Sequence, residues 1–133
     1  MKKFAVLFYI IATCTLLVFC VQCKKDETCG VIIRVHRTTT GIDTGAVVPN
    51  AYIKIGLEEN YADFAKAEGY TDVNGVFTHT FQYEALLGVA VTCEIIELDT
   101  AGNVIFQENL AGADKVKLEP GEAVEKVILV SPM

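Results

Sequence analysis

The chain has 133 residues, 52% of them hydrophobic, and a formal net charge of −6, which leaves room for one domain. Its first twenty-two residues carry two charges, Lys2 and Lys3; without them nine basic side chains stand against seventeen acidic ones, a net charge of −8. Basic residues are scattered singly among Glu and Asp rather than clustered, which excludes a phosphate-tracking surface, and with it nucleic acid, and disfavours attraction to an anionic membrane surface.

Lys2 and Lys3 precede the uncharged run Phe4 to Val21, rich in Leu, Ile, Val and Phe, which is the pattern of a signal peptide. At 18 residues the run also reaches the lower edge of a bilayer span, roughly 17 to 25 residues, so an uncleaved spanning helix is the alternative. Apolarity stops at Cys23, in Leu17-Val18-Phe19-Cys20-Val21-Gln22-Cys23-Lys24-Lys25-Asp26-Glu27. This stretch resembles the lipobox of bacterial lipoproteins, whose cysteine is lipidated and becomes the first mature residue. Gln22 departs from the Gly, Ala or Ser usual before that cysteine, and Cys20 follows the bulky Phe19. The continuation Lys24-Lys25-Asp26-Glu27 is similar to the charged stretch after the lipidated cysteine in Bacteroidetes lipoproteins, where it directs export to the cell surface. The resemblance implies a signal peptide over 1–22, a lipidated tether over 23–29 and a domain over 30–133. It also implies a lipid anchor on Cys23 in the outer membrane, with the domain periplasmic or surface-exposed.

Of the five cysteines, Cys14 and Cys20 leave with the leader and the lipid consumes Cys23, so Cys29 and Cys93 remain. An oxidising compartment permits a disulfide between them, which would contribute about 4 kcal/mol by chain entropy. Alternatively, Cys93 is a small buried apolar residue of an alternating strand.

Gly30 to Arg37 alternates with period two, Val31, Ile33 and Val35 on one face and Ile32, Arg34 and His36 on the other, and is expected as a strand. Thr38 to Val48 has loop composition, and Pro49-Asn50 opens a second strand with Ala51, Ile53, Ile55 and Leu57 on one face. Glu58 to Lys66 is either a short helical turn or an edge segment. Asn74-Gly75 lies between β-rich runs and predicts a hairpin turn with both residues at positive φ. On the outgoing strand Phe77, His79, Phe81 and Tyr83 share one face, expected to be core. Gly88 to Leu98 is a further strand in which Val89, Val91, Cys93 and Ile95 agree before Ile96 and Leu98 switch face, as at a bulge. Ala101-Gly102-Asn103 turns the chain; Val104 to Leu110, Lys115 to Leu118 and Ala123 to Val130 follow as strands, the last two joined by Glu119-Pro120-Gly121-Glu122. About seven short strands with regular turn signals predict an all-β domain, a single antiparallel seven-stranded sandwich.

Pro49-Asn50-Ala51-Tyr52-Ile53-Lys54-Ile55 and Thr71-Asp72-Val73-Asn74-Gly75-Val76-Phe77 resemble the strand entry and the hallmark turn of the transthyretin-like or carboxypeptidase-regulatory-like β-sandwich family. Val116 to Val130, with Pro120-Gly121-Glu122 before the last strand, is a weaker echo. The resemblance spans about Gly30 to Val130 and implies a structural, linking or ligand-presenting module. One enzyme branch of that family hydrolyses a purine-breakdown intermediate with histidines, an arginine and a C-terminal motif ending in serine. This chain ends Leu129-Val130-Ser131-Pro132-Met133, and His36 and His79 lack neighbours that match.

No catalytic constellation, cofactor fingerprint or metal-ligand spacing stands out. His36 and His79 lack the additional ligands of a metal site, and His79, between Phe77 and Phe81, reads as a core or rim histidine. Asp72-Val73-Asn74-Gly75 imitates the start of a calcium loop without its later glutamate. Tyr52, Tyr61, Phe64, Tyr70 and Tyr83 are the candidate contacts for a glycan or protein ligand, against ordinary packing. The expectation is a non-enzymatic, lipid-anchored binding or scaffolding module that uses no cofactor. The alternatives are a small hydrolase or carbohydrate-active accessory with its site on Thr38 to Val48 and Glu58 to Gly69, and a subunit of a larger surface assembly. A concave pocket joining a histidine to carboxylates favours the hydrolase; an exposed hydrophobic edge favours the assembly.

Overall fold

The computed structural model describes residues 27–42, 44–58 and 62–133. The leader, the lipidation at Cys23 and the candidate contact Tyr61 lie outside the described residues. The strands are β1 (Cys29–Arg37), β2 (Tyr52–Ile55), β3 (Ala67–Tyr70), β4 (Val76–Phe81), β5 (Leu86–Leu98), β6 (Val104–Lys117) and β7 (Ala123–Pro132), with one 3₁₀ turn at Asp63–Ala65. They form a seven-stranded sheet in the order β3-β2-β5-β6-β7-β1-β4 that curls nearly into a barrel. At the closing point the Phe77 ring of β4 lies against Gly69 of β3, so the two edge strands meet without pairing.

The expected all-β domain of seven strands is what forms; its antiparallel sandwich arrangement is not. β1 and β7 run parallel from Gly30↔Ala123 to Arg37↔Val130, so the sheet is mixed and continuous. Alternation specifies which face of a strand is buried and says nothing of its neighbour's direction. The strand count also agrees by two compensating differences. The undecided stretch Glu58 to Lys66 holds the short helical turn at Asp63–Ala65 and is followed by an unexpected strand, β3, while the segments expected at Val104 to Leu110 and Lys115 to Leu118 are one strand, β6. Ala111-Gly112-Ala113-Asp114 reads as an interruption, but its backbone stays in register with Thr92 to Val89.

Burial follows the period-two pattern. Val31, Ile33 and Val35 of β1, Ala51, Ile53 and Ile55 at β2, and Leu87, Val89 and Val91 of β5 are buried together with Leu110, Val116, Leu118, Ile128 and Val130. Each such aliphatic side chain contributes about 1.5–3 kcal/mol relative to exposure. Leu57 lies beyond the end of β2 and is exposed. On β4 the aromatic face is graded: Phe81 is buried, Phe77 half-buried and His79 exposed between them, its ring stacked on Phe77 and edge-on to Phe81. Tyr83 lies past the strand end and is exposed.

Two turns are built alike. In Asp72-Val73-Asn74-Gly75 the Gly75 amide donates to the Asp72 carbonyl at 3.0 Å, and the Asp72 carboxylate accepts from the Asn74 and Val76 amides. In Asp99-Thr100-Ala101-Gly102 the Gly102 amide donates to Asp99 at 3.0 Å, and the Asp99 carboxylate accepts from the Ala101 and Asn103 amides. Both end on a glycine at positive φ, 71° and 86°, which is the type I turn with a following left-handed residue. The Asn74-Gly75 expectation is therefore corrected: Gly75 alone takes positive φ, and β3 and β4 diverge to pair with β2 and β1.

The strands define two poles. At one pole, where Thr28 enters the fold and which is expected to carry the tether, the Gly121 amide donates to the Thr28 carbonyl and Gly30 to the Glu122 carbonyl. At the opposite pole β2 ends its pairing at Tyr52↔Thr92 and β7 at Pro132↔Leu110, while the β5–β6 hairpin continues to Leu98 and Val104. A two-stranded ribbon projects there; its register shift lies between Glu97 and Leu98, not between Ile95 and Ile96 where the change of face was expected, since Ile95↔Glu108 and Ile96↔Gln107 pair without a break.

Candidate functional site

The outward-facing residues of neighbouring strands fall into one row, Tyr70↔Tyr52 and Tyr52↔Thr92, because cross-strand partners share a face. The tyrosine rings stand 5.4 Å apart and tilted by 53°, and the Tyr52 hydroxyl donates to the Glu68 carboxylate at 2.6 Å. That hydrogen bond is the chief cause holding the Tyr52 phenol above its ordinary pKa. Tyr70 remains 62% exposed. Beside the pair lies an open groove of about 430 Å³, whose polar lining includes Asn50, Thr92, Glu94 and Asn109. Met133 also lines it, and its amide donates to the Asn109 carbonyl.

The groove rests on a buried clamp. The Thr71 hydroxyl accepts from the Ala51 amide and donates to the Val48 carbonyl, both at 2.8 Å, while the Thr71 backbone pairs with Ala51 and Asn50. Asn50 adopts φ 55°, turning the chain into β2. The clamp fixes the tyrosine before Thr71 and the tyrosine after Ala51 relative to each other.

The candidate aromatic residues thus separate into two places. Tyr52 and Tyr70 come together on the groove; Phe64 pairs with Tyr83 at 5.3 Å on the tether side, beside an apolar cavity of about 60 Å³ lined by Phe81, Leu87 and Leu118. Asn50, Asn109 and Met133 were not legible as lining residues. Thr92 and Glu94 were open to detection, since they alternate with Val91 and Cys93.

The proposed cysteine pair does not meet. Cys29 and Cys93 are free thiols at opposite poles: Cys29 precedes Gly30, which pairs with Ala123, whereas Cys93 pairs with Leu110, which pairs with Pro132. The separation along β7 is roughly 30 Å, at about 3.3 Å per residue, against the 7 Å limit between Cα atoms of a disulfide. Burial raises the pKa of both thiols, and Glu84 and Glu27 add to the effect at Cys29.

Nor are the histidines brought together. His79 lies opposite Val31 while His36 is five residues further along β1, with Nδ1 3.0 Å from the Gly45 carbonyl oxygen. The loops Thr38 to Val48 and Glu58 to Gly69, which the hydrolase alternative requires in one site, flank opposite ends of the sheet. Among the described residues no group of three or more His, Cys, Asp or Glu is placed to hold a metal ion, and no helix is long and apolar enough to cross a membrane.

A second depression, of about 490 Å³, opens where β6 and β7 stop pairing. Two of its three lysines are engaged: Lys126 with Asp114 at 2.9 Å and Lys117 with Glu119 at 3.3 Å. The Asp114–Lys126 pair spans the seam, and that contact chiefly holds the Asp114 carboxyl below its ordinary pKa.

No protein-family model, no curated protein and no solved structure matches this chain. The fold and the groove define a β-rich domain with an aromatic and polar groove at one pole.

Proposed function

We propose that this chain is a non-enzymatic binding module, held at the outer membrane by lipid on Cys23, whose Tyr52–Tyr70 groove takes a glycan. The observation that carries the reading is the join of exposed Tyr70 and half-buried Tyr52 to Asn50, Thr92, Glu94 and Asn109 in one open groove. Sugar rings present apolar C–H faces that stack on tyrosine and hydroxyls that bond to amide and carboxylate groups. The carboxylates of Glu94 and Glu68 favour a neutral glycan over an acidic one.

The resemblance to transthyretin-like domains supports a ligand-presenting role. Its two quoted segments are hydrogen-bonded to each other through Thr71, Ala51 and Asn50. The anchor reading rests on the leader and on the position of Thr28, which enters the fold at the pole away from the ribbon.

The test is titration with neutral oligosaccharides of glucose, xylose, mannose and galactose, followed by tyrosine emission, which the lack of tryptophan leaves unmasked. One class is expected to shift the emission with a Kd of about 1 μM to 1 mM. A panel in which none does contradicts the glycan reading. Intact mass of the protein from its native membrane tests the anchor: acyl chains on a chain starting at Cys23 support it, and an unprocessed mass contradicts it.

A further inference from the structure

The projecting β5–β6 ribbon is the largest surface the groove does not use. It exposes Ile96, Leu98, Val104, Ile105 and Phe106, with Ile105 65% exposed. Single exposed apolar residues are ordinary, but five on one short ribbon, with Ile96 and Phe106 on its opposite faces, are of the kind that marks an interaction site. Among the described residues no strand pairs with β6 before Asn109 on its outer side, nor with β5 after Thr92. Both edges therefore offer unused backbone donors and acceptors. A two-stranded ribbon without a third strand is marginal in water, and native sheets ordinarily guard such edges.

Charge selects among the occupants. From Ala67 to Asp114 the chain contains no Lys or Arg, and the ribbon carries Glu94, Glu97, Asp99 and Glu108. The adjacent base, Arg37, is already engaged with Glu108 at 2.7 Å. A second copy would bring acidic ribbon against acidic ribbon, and an anionic bilayer would be repelled. The ribbon also points away from the pole where Thr28 enters, hence away from a leaflet holding a lipid on Cys23.

We propose that this ribbon docks an extended segment of another protein, with alternating apolar and basic residues, which adds as a strand to β6 beside Val104 to Gln107 where β7 ends. Strand addition supplies main-chain hydrogen bonds, apolar side chains of the segment cover Ile105 or Phe106, and basic side chains meet Glu97 and Asp99. The docking edge, Val104 to Gln107, does not line the tyrosine groove, and its failure leaves the glycan reading standing.

The probe is a ten-residue peptide alternating Lys and Val, compared with its Glu–Val counterpart, each titrated into the full chain with amide hydrogen exchange as the readout. The Lys–Val peptide is expected to bind about tenfold or more tightly than the Glu–Val peptide, slowing exchange in β6 between Val104 and Gln107. Ile105→Asp should remove that protection with the fold intact, and Glu97→Lys should narrow the preference. Equal binding of the two peptides, or protection confined to β2 and β3, overturns the proposal. So does a concentration-dependent dimer lost in Ile105→Asp, which assigns the ribbon to a second copy, or binding to anionic vesicles lost in the same variant.

Discussion

The side chain of Thr71 is hydrogen-bonded to the backbone of Ala51 across twenty residues of sequence, its buried hydroxyl accepting the Ala51 amide at 2.8 Å. The same hydroxyl donates to Val48, so one small side chain satisfies two buried backbone groups and sets the spacing of Tyr52 and Tyr70.

Replacing Thr71 by Val keeps the volume and leaves both groups unsatisfied. The variant is expected to lose about 2–4 kcal/mol in urea unfolding and to weaken ligand binding at the tyrosine groove. Thr71→Ser, which keeps the hydroxyl, should recover most of both. Equal stability of the two variants would show that the hydrogen bonds do not hold the site.

The twin turns predict unequal costs for one substitution. Gly75 is buried, and a Cβ there would lie 3.0 Å from the Val35 carbonyl oxygen and 3.1 Å from the Val48 nitrogen; at Gly102 a Cβ would meet nothing within 4 Å. Gly75→Ala should therefore cost about 2 kcal/mol or more, and Gly102→Ala about 1 kcal/mol from positive φ alone. Thermal unfolding of the two variants measures the difference.

Asp114 and Asp99 have folded-state pKa values below their unfolded ones, chiefly through Lys126 and Asn103 respectively. Their contribution is thus complete above the unfolded carboxyl value, near pH 4, and is lost as pH falls through the lower folded values. Melting temperatures should be flat from about pH 7 to 5 and fall below about pH 4, less steeply in Asp114→Asn. The Asp114–Lys126 pair is 45% and 36% exposed at its side chains, so its share is about 0.5 kcal/mol.

The thiols give a fourth expectation. The mature protein under non-reducing conditions should show no two-hydrogen mass gain on reduction for a Cys29–Cys93 bond, and alkylation should reach half-buried Cys93 before buried Cys29. A bond joining the two would require the poles to meet and would contradict the fold.

The faces of β1, β2 and β5 were legible because each buries one side against the core, so Val31, Ile33 and Val35 repeat at period two. The parallel alignment of β1 with β7 was not, since pairing partners leave no local periodicity. Ala111-Gly112-Ala113 hid the length of β6, because small residues resemble a loop until their backbone is seen paired with β5. Tyr52 and Tyr70 were legible as aromatic candidates, but their meeting depends on β2 and β3 pairing through a stretch that carried no strand pattern. Cys29 and Cys93 looked like a pair by elimination, a count that contains no distance.

The most direct measurement compares Tyr70→Ala and Tyr52→Ala with Tyr83→Ala in titration by the oligosaccharide that shifts tyrosine emission in the parent protein. The groove predicts that the first two lose binding about tenfold or more while Tyr83→Ala, on the other side of the fold, binds as the parent does. Undiminished binding by Tyr70→Ala and Tyr52→Ala, or a loss confined to Tyr83→Ala, would contradict it.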